Sequence, residues 1–328
     1  MLLMKLLVTG GTGYVGSFTV DLLANQGHQI TIFDNLEYGH KQAVSYQVVK
    51  GDLKNRTEIE SLFKKHKFDA VFHFASYIAP GESMKLPGKY FQNNILGGLN
   101  LLEAMVKSDV KKMIFSSTAA VYGHPKKLPI SEDDPKKPIN VYGESKLNFE
   151  KILAWYDKIY GVKSISLRYF NAAGASLDGH KGEDHNPETH IIPQACFAAL
   201  GKLKNFELHG NNYPTKDGTC IRDYINVIDL ADAHVKALDY LFDKNQSDAF
   251  NLGTGYGHSN WEVIKMVKDI SGIDFQVRIT KPRPGDPAEL YTSNSKAKKT
   301  LGWNPLHSDL NTIIKTAWKW HKSHPDGF

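Results

Sequence analysis

The chain has 328 residues, enough for one large or two moderate domains with a substantial core, and its 41% hydrophobic and 23% charged residues form no biased tract. The net charge of +5 is small for this length and no basic block marks a nucleic-acid partner, while the two cysteines, Cys196 and Cys220, exclude a disulfide framework and a cysteine zinc site. No apolar run reaches membrane-span length, and the apolar start "MLLMKLLVTGG" meets glycines too soon for a secretion signal, so a cytoplasmic protein is expected.

In chain order, "KLLVTG" is a short apolar run ending in glycine. "GSFTVDLLANQG" follows with helical spacing and stops at Gly27, and "HQITIFDN" is a second strand ending at Asp34. Further strands are expected at "DAVFHFAS" (69–76), "KKMIFSST" (111–118) and "VKSISLRYFN" (162–171), with helices over 94–106 and 142–160. Such alternation predicts an α/β protein with a doubly wound parallel Rossmann sheet and ligands at the carboxyl ends of its strands. After Asn171 two polar, glycine-rich loops appear and the alternation fails. A smaller mixed α/β substrate domain is therefore expected over 172–328, following a cofactor domain over 1–171, with a segment near 223–242 returning to the main sheet.

The motifs sit at those carboxyl ends. "VTGGTGYVG" links the first strand to the first helix, and Gly10, Gly13 and Gly16 (or Gly11, Gly13 and Gly16) allow a backbone to approach a pyrophosphate at a helix N-terminus. Asp34 ends the second strand, where a carboxylate can hold a ribose diol and would repel a 2′-phosphate, favouring NAD over NADP. Asp52, in "KGDL" after the third strand, reads equally as an adenine contact or a solvated turn. In "YGESK", Tyr142 and Lys146 share a helix face one turn apart, and a cation there would favour the phenolate. Alone, the pair is a common surface pattern. With Thr118 at the end of the fifth strand it makes a proton-transfer set. Arg222 and Arg283, in loop-like stretches, suit a diphosphate. His180, His185 and His190 recur every five residues, which fits no standard zinc pattern, and no metal is expected.

These motifs, with "FSSTAAVYG" and "RYFN", resemble the extended short-chain dehydrogenases/reductases. "HFASYIAPGES", "YFQNNILGGLNLLEAM", "YPTKDGTCIRDYINVIDLADAH" and "RPGDPAEL" resemble, more closely, the UDP-glucose 4-epimerase family over essentially the whole chain. The resemblance implies an NAD-dependent isomerase acting on a UDP-hexose through a transient 4-keto sugar, with NAD reduced and reoxidised in each cycle, and a homodimer built on the helices over 94–106 and 142–160. It implies NAD contacts from Tyr14, Val15, Asp34, Asn35, Asp52, Leu53, Phe74, Ala75, Asn93, Tyr142, Lys146 and Phe170. It implies UDP-hexose contacts from Thr118, Asn171, His190, Arg222, Arg283 and Asp286, and a role for Leu290 beside the sugar 2-substituent. The chain departs from the family's pattern at Ser76-Tyr77-Ile78, where the family often has a cofactor-touching lysine, at Thr118 for the more usual serine, and at Asn226 for histidine. A related epimerase acting on UDP-N-acetylglucosamine is the nearest alternative. Dehydratases and decarboxylases of the same fold carry an acid after the threonine where this chain has Ala119 and Ala120. A dinucleotide-sensing regulator would need neither Tyr142 nor Lys146.

Overall fold

The computed structural model describes residues 3–283 and 286–328, so Pro284 and Gly285 of "RPGD" lie outside the described residues. The first half alternates as β1 (Lys5–Thr9), α1 (Tyr14–Asn25), β2 (Gln29–Asp34), β3 (Val48–Lys50), α2 (Arg56–Lys65) and β4 (Ala70–His73). Two proline-led turns follow, α3 (Pro80–Ser83) and α4 (Pro87–Tyr90), then a π-helical turn over Phe91–Gly97, α5 (Gly98–Lys107), β5 (Lys112–Thr118), α6 (Val141–Tyr160) and β6 (Lys163–Tyr169). The second half runs β7 (Asn171–Ala173), α7 (Ile191–Ala199), β8 (Phe206–His209), β9 (Ile221–Arg222), β10 (Tyr224–Asn226), α8 (Val227–Lys244) and β11 (Asp248–Leu252). It closes with β12 (His258–Ser259), α9 (Asn260–Ser271), β13 (Val277–Thr280), β14 (Glu289–Leu290), α10 (Ser295–Leu301) and α11 (Leu310–Ser323).

Among the described residues the main sheet has seven strands in the order β3-β2-β1-β4-β5-β6-β11, each pair parallel. This is a doubly wound Rossmann sheet, and the strand order reverses between β1 and β4. Side chains alternate across it. Leu6, Val8, Phe72, Ile165 and Leu167 face a core closed by α1 and α8. Leu7, Phe33, Val71 and Phe115 face the other, closed by α2, α5 and α6. Both faces are thus dry, which is why the strands read as continuous apolar runs.

Three expectations shift in detail. The helix anticipated over 94–106 opens as the π turn, where the buried Asn94 amide donates to the Tyr77 carbonyl (3.1 Å) and Ser145 Oγ (3.0 Å) and accepts from Tyr77 N (2.9 Å). A 3.6-residue period does not register such a widened turn. Near 223–242, β10 pairs with β7 in a two-stranded sheet of its own. The chain rejoins the main sheet through α8 and then β11, beside β6. Arg222 lies in the strand β9, not in a loop. Of the remaining elements, α7, α9, α11 and β8 gather with Tyr224 around a third core, while α10 packs through Ala297 onto the first.

Candidate active site

Parallel strands place the carboxyl ends of β1 to β6 on one edge, and most of the expected residues lie along it. At the switch point the backbones of two loops nearly touch. Gly10 has φ +73°, and a Cβ there would lie 2.4 Å from Ala75 N; a Cβ on Gly16 would lie 2.3 Å from Gly10 O. Larger residues would push the loop from the opening of α1, whose first turn holds Tyr14 and Val15 and no acidic side chain to occupy its amides. Thr12 Oγ1 is buried in this loop without a partner. The Asp34 carboxylate accepts Thr12 N (3.1 Å) and Leu36 N (2.9 Å), which fixes its position and leaves a lone pair on each oxygen. Asn35 donates to Asp52 (3.3 Å), and Leu53 is buried beside it. Phe74 and Ala75 both donate to Thr9 O, at 2.9 and 3.1 Å. Asn93 projects from the π turn and donates to Asn94 (3.1 Å). Where the resembled family often has a lysine, Ile78 is exposed. Lys54 and Lys89 stand instead over the ring of Tyr77, at 5.9 and 4.3 Å.

The start of α6 is fixed by Asn140, whose side chain accepts Gly143 N (2.8 Å), and by Ser83 Oγ, which accepts Tyr142 N (3.1 Å). Tyr142 packs with Tyr77 and Tyr90, and Thr118 ends β5 opposite it. Lys146, one turn on, is 2% exposed and donates to Ser76 Oγ (2.8 Å) and Ser116 O (2.7 Å). The expected lowering of the tyrosine pKa is not found. Burial pushes the phenol up to about 12, and the Thr118 hydroxyl draws it back only in part. The amine yields instead, pulled down to about 7 by burial against an opposing lift from Glu150. Desolvation dominates at both groups, and Lys146 directs its N–H bonds to Ser76 and the Ser116 carbonyl.

The residues supporting Lys146 were not singled out in the sequence. Glu150, four residues after it on α6, holds Arg168 through both carboxylate oxygens (2.9 and 2.6 Å) and accepts from Ser117 Oγ. The i, i+4 spacing of Lys146 and Glu150 was the available signal.

Across the cleft, Phe170 N donates to Leu252 O (3.1 Å) and Asn171 N to Asp223 O (2.9 Å). Arg222, mostly buried, reaches Asp286 at 3.7 Å, and Asp286 N donates to the carbonyl of the exposed Arg283 (3.3 Å). Leu290 is registered against Arg222 in the β9–β14 pair and packs on the cluster containing Ala119, Leu147 and Phe170. Arg222, Arg283, Asp286 and Leu290 therefore form one neighbourhood, joined at Leu290 to the loop after Thr118. Asp223 organises it: its buried carboxylate accepts Thr254 N, Thr254 Oγ1, Gly255 N and Thr292 N.

His190 precedes α7 and turns its Nδ1 onto Glu183 (2.6 Å), while His185 meets Glu183 at 3.1 Å and Glu188 at 3.7 Å. His180 is exposed and stands outside this group. Burial pulls His185 down, but the two carboxylates outweigh it and hold the imidazole at about 10. Counting histidines alone missed Glu183 and Glu188.

The NAD dependent epimerase/dehydratase family matches residues 6–253. A UDP-glucose 4-epimerase of Lactobacillus helveticus is 48% identical over 99% of this chain and 99% of that protein. The crystal structure of UDP-glucose 4-epimerase from Bifidobacterium longum in complex with NAD+ and UDP is 38% identical, with a TM-score of 0.94 over 99% of this chain and 100% of that one. The UDP-Glc/GlcNAc 4-epimerase of Campylobacter jejuni is 42% identical, with a TM-score of 0.85 over 97% and 99%.

Proposed function

The chain belongs to the NAD dependent epimerase/dehydratase family and, within it, to the UDP-glucose 4-epimerases, and on that premise we propose that it interconverts UDP-glucose and UDP-galactose by inverting the sugar C4 centre through a 4-keto stage. The observation that carries this reading is Tyr142 facing Thr118 at the carboxyl edge of the sheet, with Lys146 buried one turn behind.

The cofactor is NAD, and the residues fit it. The glycine loop admits no Cβ at Gly10 or Gly16, Thr12 Oγ1 is buried and unpartnered, and the Asp34 carboxylate has acceptor capacity for a ribose diol. Bound NAD supplies the redox capacity, taking up and giving back an electron pair at the sugar C4. The chain's own residues do the rest. The opening of α1 holds pyrophosphate, with Asp34 and Asn35 on the adenosine ribose and Lys146 on the nicotinamide ribose. Tyr142 takes the proton of the sugar 4-hydroxyl and later returns it, and Thr118 orients that oxygen. The Tyr142 phenol, pushed up to about 12 by burial, is drawn toward the phenolate by positive charge beside it. Ala119 and Ala120 place no acid beside Thr118, so nothing there drives elimination. Arg222 and Arg283 grip the diphosphate from the second lobe, which lets the hexose turn about its bond to that anchor.

The active unit is a homodimer. Trp155 and Ile159, one turn apart on α6, are exposed, as is Leu96 in the turn before α5, and such exposed apolar side chains suit a second copy. No helix among the described residues is long and apolar enough to cross a membrane, and the cytoplasm is the proposed compartment. The test is incubation with UDP-galactose without added NAD. UDP-glucose should accumulate to an equilibrium mixture. An unsaturated or decarboxylated sugar product, or no turnover, overturns the reading.

A further inference from the structure

We propose that Glu183, His185, Glu188 and His190 form a binding site for one divalent transition-metal ion of the zinc class. The four residues occupy a single E-x-H-x-x-E-x-H stretch with no helix or strand within it. Each offers a donor atom, and these atoms all lie within 4.8 Å of one another. Both imidazoles present Nδ1 to the carboxylates: His190 at 2.6 Å from Glu183 and 3.5 Å from Glu188, His185 at 3.1 and 3.7 Å.

A second, independent observation comes from Glu188. Its side chain is 3% exposed; Oε1 accepts Thr189 N and His190 N (2.7 Å each), while Oε2 is buried with no hydrogen-bond partner, and His185 Nδ1 stands 3.7 Å from it, beyond hydrogen-bond reach. Buried carboxylate oxygens without donors are costly, and this one faces the cluster. A cation supplies the missing partner. The charges also match: two carboxylates and two neutral imidazoles balance a dication, and binding displaces the protons the imidazoles otherwise share with the carboxylates.

The donor set selects the metal class. Two nitrogens and two carboxylate oxygens suit zinc and its neighbours, whereas magnesium and calcium prefer all-oxygen shells. His190 is 43% exposed, which leaves one side open for entry. The ion would act as a clamp. The His185 ring meets the Tyr14 ring edge-on at 6.3 Å, the Tyr14 hydroxyl donates to Gly174 O (2.6 Å), and Trp320 Nε1 donates to Glu183 O (3.1 Å). The loop between β7 and α7 is thus tied to the opening of α1 on one side and to α11 on the other.

The test uses the full chain with its bound cofactor, stripped with a chelator and dialysed against zinc, manganese or magnesium chloride. Bound metal is then measured by mass spectrometry. About one zinc per chain is expected, with weaker retention of manganese and none of magnesium. Glu188→Gln, which keeps the shape and removes the charge, should weaken zinc binding by roughly tenfold or more. Cobalt added to the unsubstituted protein should give the visible absorption of a four- or five-coordinate site, which keeps the proposal testable should that variant fail to fold. Zinc well below one per chain, equal zinc affinity in the Glu188→Gln protein, or a cobalt spectrum matching the aqueous ion overturns it.

Discussion

Burying the amine of Lys146 makes its charge costly, and that cost is measurable. Its pKa falls from 10.5 to about 7 on folding, so the unfolded chain binds more protons between those values. This group's contribution to stability is therefore full above about pH 10.5 and lost as pH falls through 7, a swing on the order of 5 kcal/mol. In cofactor-free protein, Lys146→Met should gain most over the unsubstituted chain near pH 6, with the difference shrinking by pH 9. Melting temperatures of the two across that range check it, and a pH-independent difference would mean the amine is not desolvated. Tyr142→Phe keeps the ring and removes the proton carrier. Turnover should drop by a factor of about 10² to 10⁴ with cofactor retained, as steady-state rates and absorbance of the bound cofactor will show. Leu290 packs beside Phe170 and Ala119, next to the loop that follows Thr118, and on the proposed reading it would meet the hexose. The protein should prefer UDP-galactose yet act detectably on UDP-N-acetylgalactosamine. Leu290→Tyr should abolish the second activity, since overpacking costs about 1–3 kcal/mol, or roughly ten- to two-hundred-fold in the ratio of kcat/KM. An unchanged ratio would free Leu290 of that role.

At the scale of elements, the outer face of α6 is the least explained by the chain itself. Trp155 and Ile159, four residues apart on one face, are 59% and 62% exposed, although Tyr156 between them ties α6 to α5 through Glu103. Replacing both by glutamate leaves the core packing of Phe149 and Leu153 untouched, so the fold should persist while light scattering reports a monomer. A dimeric mass in that double variant would place the interface elsewhere. The parallel core of the sheet was legible because strands buried on both faces carry unbroken apolar runs, as Leu6–Val8 in "KLLVT" and Met113–Phe115 in "KMIFSST" do. The placement of Tyr142, Lys146 and Asp34 was legible because it depends on spacing within one element or at its end. The π turn was not, because its width is set by the Asn94 side chain reaching Ser145, fifty-one residues away. Nor was the support of Lys146 by Ser76, or the meeting of Glu183 and Glu188 with two histidines. The Ser76 contact is made by the fold across seventy residues, whereas the two glutamates lie within the same eight-residue stretch as His185 and His190 and are overlooked when histidine spacing alone is read.

At the scale of the molecule, one carboxylate fastens the late chain to the early sheet. Asp229, on α8, accepts Leu306 N (3.1 Å), His307 N (2.9 Å) and Ser308 Oγ, and its carbonyl accepts Nε1 of the fully buried Trp303. Asp229→Ala would strand those donors and should lower stability by about 3 kcal/mol or more, since each bond to a charged group contributes roughly 1.5–3 kcal/mol. Denaturant unfolding of the variant checks this, and an unchanged midpoint would show that water replaces the carboxylate there. The placement of β11 bears on how the protein is made. A ribosome that has released Tyr169 has delivered β1 to β6, but the outer edge of β6 has no neighbour and the helix that covers Ile165 and Leu167 has not been synthesised. Before either arrives, the nascent chain must thread through β7, α7 and β8 of the other lobe. The cofactor half therefore cannot be completed first and set aside. It waits, with an open strand edge and bare apolar surface, until Leu252 emerges, and in that interval it is exposed to pairing with other chains.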